Sequence, residues 1–132
     1  MGFLLDTNII SSLVRDPQGA VAVRVGREAP VDLMTSIVVI GEIASGFARQ
    51  PSRALERQTA KILRGIHILD LDEAAASAYG SIRAELERVG TPIGANDMWI
   101  AAHALALDAT LVTANEREFR RVPGLRVENW TL

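Results

Sequence analysis

The chain has 132 residues, 48% of them hydrophobic and 23% charged, with no cysteine and a formal net charge of −2 at pH 7. That length and composition fit one domain, residues 1–132, with a real hydrophobic core and no room for a second. They exclude a disordered or fibrous chain, a disulfide scaffold, a thiolate nucleophile and a thiolate zinc site.

In chain order, Phe3 to Leu5 reads as a short apolar strand ending at Asp6, and Thr7 to Val14 as a helix. Pro17 to Arg27 is again helical, with Pro17 suited to a helix start. Val31 to Met34 is a second strand, and Ser36 is placed to cap a helix carrying Ile37, Val38, Ile40, Ile43, Ala44 and Phe47. A helix from Ser52 to about Arg64 leads to a strand at Ile66 to Leu69. Asp72 to Val89 is the longest helix, with acids in its first turn, Arg88 in its last and Gly90 just beyond. Thr91-Pro92 makes a turn, a helix runs from about Gly94 to Leu107, and strands follow at Thr110 to Thr113 and Leu125 to Val127. Alternating strands and helices predict a parallel sheet with helices on both faces. In such folds ligands bind beyond the carboxyl ends of the strands, where strand order reverses. Asp6, Thr7, Thr113 and Asn115 therefore take priority.

Neither end of the chain suggests a membrane or an exported protein. Met1 to Asp6 has no basic segment, and the longest purely apolar runs, such as Ile37 to Ile40, fall far short of the ~20 residues that span a bilayer. A soluble cytoplasmic protein is expected.

Three acids stand out. Asp6 follows an apolar strand directly, in LLDTN; it reads either as the cap of the next helix or as a carboxylate facing the crevice. Glu42 lies in IVVIGEIASGF with no Lys or Arg within one helical turn, and an ionised carboxylate in apolar surroundings costs several kcal/mol unless paired or metal-bound. Turning to solvent beside Ser45 is its alternative. Asp97, in ANDMWIAAHALAL, shares a side with Ile100 and Ala101, but it also lies in a first turn where the helix dipole favours an anion. One acid from each of three elements is how an oxygen-ligand magnesium site is built, and such a centre can activate water against a phosphodiester. Thr7, Asn8, Asn96, Thr113 and Asn115 are candidates to orient ligands or bind phosphate, with turn and capping roles as the alternative. Glu116 and Glu118 read as a solvated acidic turn.

Of the 14 basic residues 13 are Arg, which holds phosphate in a bidentate fork, although coding bias also favours Arg. Arg53, Arg57, Lys61 and Arg64 form one stripe at helical spacing, and Arg117, Arg120, Arg121 and Arg126 a second group; either a solvated face or an RNA track fits them. His67, His103, Trp99 and Trp130 read as structural. No nucleophile elbow, phosphate-binding loop or dinucleotide fingerprint is present.

On LLDTN, on Glu42 in its helix, and on the stretch from Gly90 to Trp130, the chain resembles the PIN-domain family, and within it the VapC-type toxins. The resemblance runs nearly end to end. It implies an α/β three-layer sandwich around a parallel sheet of about five strands, and a site of Asp6, Glu42 and Asp97 holding magnesium, for which manganese can substitute. It further implies endoribonuclease cleavage leaving a 5′-phosphate, with tRNA as the leading substrate guess. A VapB-type antitoxin would inhibit the protein and carry the complex to operator DNA, and the toxin would be a homodimer. The family's fourth acidic position falls on Asn115, which would weaken any second metal site. Two rivals are a haloacid-dehalogenase-like phosphatase and a catalytically silent PIN-like module. The first expects Asp and Thr where this chain has Asn8 and Ile10, and the second would have lost an acid.

Overall fold

The structure, a computed structural model, describes residues 2–132. Five parallel strands form one sheet: β1 (Phe3–Leu5), β2 (Leu33–Ser36), β3 (His67–Leu69), β4 (Thr110–Val112) and β5 (Val127–Glu128), in the order β3-β2-β1-β4-β5. The two innermost strands are apolar runs rather than alternating ones, as strands covered on both faces must be: Leu4, Leu5, Leu111 and Val112 are fully buried. Phe3 is in register with Leu33 on one side and Thr110 on the other. Strand order reverses between β1 and β4, and their carboxyl ends are held together by the Asp6 N–H donating to the Val112 carbonyl at 3.0 Å.

Seven α-helices connect these strands: α1 (Thr7–Arg15), α2 (Ala20–Arg27), α3 (Ile37–Arg49), α4 (Arg53–Leu63), α5 (Glu73–Val89), α6 (Ala95–Ala106) and α7 (Glu116–Phe119). α1 packs against α2, α3 and α4, and α5 against α6, with α3 also meeting α6; this is the grouping expected when right-handed crossovers leave a sheet in opposite directions from its switch point. Most helix ends follow local chemistry. Ser36, Ser52 and Asp72 accept from backbone N–H groups of the first turns of α3, α4 and α5, and Gly90 closes α5 in the left-handed conformation at φ 75°.

Local expectation fails in three places. α2 begins at Ala20, not Pro17, because Asp16, kept out of the helical region as the residue before a proline, ends α1 and the chain turns through Pro17 and Gln18 to the Gly19 cap. Val31 is not in a strand; it sits exposed in a 3₁₀ turn (Pro30–Asp32) opened by the proline, and β2 starts at Leu33. β5 is Val127–Glu128, two residues that pair with β4, while Leu125 stays in the preceding turn.

The core joins β1 and β4 to Ile9, Ile10 and Leu13 of α1, Ile100 and Ala104 of α6, and Phe119. His103 is buried, with Nδ1 2.8 Å from the Ser36 hydroxyl, and burial lowers its pKa. The backbone of Asp70 opposes that shift. This neutral imidazole fastens the start of α3 to α6. Trp130 is buried edge-on against Phe3 under the Arg24 guanidinium, while Trp99 stacks on Tyr79 between α5 and α6. No helix among the described residues is long and apolar enough to cross a membrane.

Candidate active site

A cavity of about 580 Å³ opens beyond the carboxyl ends of β1 and β4, and Asp6, Glu42 and Asp97 all line it. Asp6 stands at the end of β1, only 4% exposed. It plays both of its alternative parts. Oδ1 accepts from the Thr7 N–H at 2.8 Å and so caps α1, while Oδ2 accepts from the Thr113 hydroxyl at 2.8 Å and from Asn8 Nδ2 at 3.3 Å. Burial raises its pKa above the usual carboxylate value, and the Glu42 charge adds to this; the donors from Thr113, Thr7 and Asn8 pull it back.

Glu42 is half-buried near the middle of α3, and its partner is a hydroxyl rather than a cation: the Thr7 hydroxyl donates to Oε1 at 2.6 Å. Asp97 lies in the first turn of α6, and its pKa is raised to about 7. Burial is the largest cause, followed by the hydrogen bond with Glu118 and the negative charges of Asp6, Glu118 and Glu42. Glu118 moves the other way, held low by donors from Asn115 and Asp97. Of the two carboxyls, Asp97 is therefore the one that holds a proton below about pH 7.

The auxiliary candidates separate. Thr7 holds Glu42. Asn8 links α1 to the loop after β4, accepting from the Ala114 N–H at 2.9 Å. Thr113 has no exposed surface and grips Asp6 from behind, also accepting from the Asn115 N–H at 3.0 Å. Asn115 lines the cavity, and its Nδ2 donates to Glu118 at 2.7 Å. Asn96 lies apart, in a smaller recess that it shares with Val38 and Glu42. Of the two basic groups, the C-terminal one is largely spent: Arg120 pairs with Glu116, Arg126 with Asp108, and Arg121 reaches the Pro92 carbonyl.

Glu118 is the residue that sequence reasoning misplaced. It belongs to α7, anchored by the fully buried Phe119, and faces Asp97. Asn115 followed three residues later by Glu118, just before an aromatic, is a helix-start pattern that would have exposed α7. Ser11, Ser12 and Arg15 of α1 also line the cavity and carry no sequence signal of it.

The donor set fits a hard divalent cation. It is all oxygen, and the acids raise one another's pKa values in the absence of a counter-charge. Among the described residues no three acidic or imidazole groups already stand in ligating geometry, since Glu42 is turned to Thr7 and Asp97 to Glu118.

The family described as PIN domain matches residues 3–125. The chain is 36% identical to "Ribonuclease VapC1" of Haemophilus influenzae (strain R2866), with 99% of each chain covered. It is 38% identical to "tRNA(fMet)-specific endonuclease VapC" of Shigella flexneri, with 98% of each covered. Its structure superposes with a TM-score of 0.92 on a chain of VapBC2 from Rickettsia felis, solved bound to a DNA fragment from their promoter. That chain is 32% identical, with 98% of this chain and 99% of that one covered.

Proposed function

The chain belongs to the PIN-domain family, and from that premise we propose that it is the toxin of a type II toxin–antitoxin pair, a metal-dependent endoribonuclease acting through Asp6, Glu42 and Asp97. The observation that carries the reading is the meeting of three acids, from β1's end, α3 and α6, at the one point where strand order reverses. The family match over residues 3–125 supports reading that stretch as one catalytic domain.

Asp6, Glu42 and Asp97 would hold the cation, with magnesium the expected ion and manganese a substitute. Bound there, it supplies Lewis-acid activation of a water and offsets the charge that builds on the phosphodiester. The chain's own part is orientation. Thr113 and Asn8 fix the plane of the Asp6 carboxylate, and Thr7 sets Glu42 toward the same space. Asp97 is an anionic ligand only after losing the proton it shares with Glu118, which makes ion binding pH-dependent near neutrality. Asn8 and Ile10 replace the acid and hydroxyl of a haloacid-dehalogenase-like site, and Asn8 is committed to the Ala114 N–H.

A VapB-type antitoxin is the partner, and operator DNA is reached only through it; the relation to a VapBC assembly on promoter DNA supports both. The toxin acts as a homodimer in the cytoplasm. Initiator tRNA is the leading substrate, supported by the name of the Shigella relative. Purified protein should cut RNA with magnesium or manganese and stop with excess EDTA. Cleavage that survives EDTA, in protein freed of contaminating nuclease, would rule out the metal mechanism.

A further inference from the structure

The acidic cavity continues, past one face of α1, into a cleft of about 610 Å³ between α1, α3 and α4. Four residues border both spaces: Thr7, Ser11, Arg15 and Glu42. Thr7, Ser11 and Arg15 stand four apart, one above another on α1, so Arg15 lies about 12 Å along the axis from Thr7. Helical side chains lean toward the N-terminus, which brings the Arg15 guanidinium back toward the acids.

Among the described residues Arg15 is the only cation lining the acidic cavity, which also has Asp6, Asp16, Glu42 and Asp97 in its wall. It has no ion-pair or side-chain hydrogen-bond partner among the described residues, whereas Arg24, Arg83, Arg88, Arg120 and Arg126 are all paired with acids. Asp16, its neighbour, does not neutralise it. That carboxylate folds over Gly19 at the start of α2, where a methyl group on Gly19 would collide with it. Ser11 and Ser12 add hydroxyls that no side chain engages. An unpaired arginine fork, kept beside an anionic cavity at its junction with a second cleft, suits a bidentate phosphate contact.

We propose that Arg15, with the hydroxyls of Ser11 and Ser12, forms a second phosphate subsite at the edge of the acidic cavity, which holds a phosphodiester next to the scissile one. The subsite rests on the ribonuclease reading above. It binds ground state and transition state alike, so its loss appears in KM and not in kcat.

The test compares wild-type protein, Arg15→Gln, Arg15→Lys and Arg27→Gln on a fluorescent single-stranded oligoribonucleotide in magnesium, from 50 to 200 mM salt. Arg27 is a matched control, an exposed and unpaired cation that lines neither space. Arg15→Gln should raise KM about tenfold at nearly constant kcat and reduce the salt slope of log kcat/KM by about 0.7, the value for one phosphate contact on a single strand. Arg15→Lys should restore the slope and part of the affinity, because it keeps the charge and loses the fork. If Arg15 only complements the α1 dipole, Arg15→Gln will melt lower and leave KM and slope untouched, which overturns the subsite. Equal effects from Arg27→Gln overturn it too. Binding of the same RNA to Asp97→Asn, with and without Arg15→Gln, is measured in parallel. If the wild-type protein does not cut, the ribonuclease reading fails, and unchanged binding on adding Arg15→Gln sinks the subsite separately.

Discussion

On the β1–β4 side of the crevice, Asp6 is ringed by neutral donors from Thr7, Asn8 and Thr113, three groups fixed by helix start and strand end. On the α6–α7 side, Asp97 meets another carboxyl, Glu118, and keeps its place only by sharing a proton. Both acids are raised by burial, yet the first wall lowers the cost with hydrogen bonds and the second with protonation. One wall is therefore in working geometry before any cation arrives. On the other, Asp97 gains its charge only as its proton leaves, with rising pH near 7 or on binding a cation. The division explains how a cluster of acids is tolerated although Asp6, Glu42 and Asp97 form no ion pair with a cationic side chain among the described residues.

Removing the charge of the second wall should have the largest effect. Asp97→Asn keeps the shape and loses the ligand, so cleavage should fall by roughly 10²–10⁴. Stability should move the other way. The folded pKa of Asp97 is about 7 and the ordinary value 3.8, so its contribution is present below pH 3.8 and is lost as pH rises toward 7. The metal-free variant should thus match wild type near pH 4, melt higher near pH 7, and gain less from added magnesium. Thermal melts across that range check all three; a variant that melts lower and still cuts would show Asp97 to be only a helix-start charge.

The first wall is broken at Thr113. Thr113→Val removes the buried donor to Asp6 and the acceptor of the Asn115 N–H without changing shape. Metal affinity or cleavage should drop about 10–100-fold, as when a group orienting a metal ligand is lost. Unlike Asp97→Asn, this variant should also melt lower, because a buried carboxylate is left short of a partner. Magnesium titration and melting of one preparation give both numbers, and Thr113→Ser should recover most of each.

The smallest effect sharpens the contrast. Glu118→Gln takes away a charge and the proton-sharing partner but leaves the burial of Asp97 intact. The Asp97 pKa should fall below about 7 without returning to 3.8, and the pH range over which metal-free stability is lost should shift to the acid side. Carboxyl NMR titration of the metal-free protein reads this directly. An unmoved Asp97 would mean that burial alone sets its titration.

Sequence alone determined what depends on near neighbours along the chain. The cap at Ser36, the helix starts near Ser52 and Asp72, the Gly90 just beyond α5, and the alternation that gives a parallel sheet are all local, because a cap or a helical period is decided within about one turn. Asp6 after its strand, Glu42 without a cation nearby and Asp97 at a helix start were legible as anomalies for the same reason. Only the tertiary structure decided what each polar group answers to. Thr7 meets Glu42 across 35 residues, Thr113 meets Asp6 across 107, and Glu118 meets Asp97 because α7 is pinned by Phe119. Those meetings follow from strand order. β4 lies beside β1 rather than β3, and no spacing within a segment encodes which strands become neighbours.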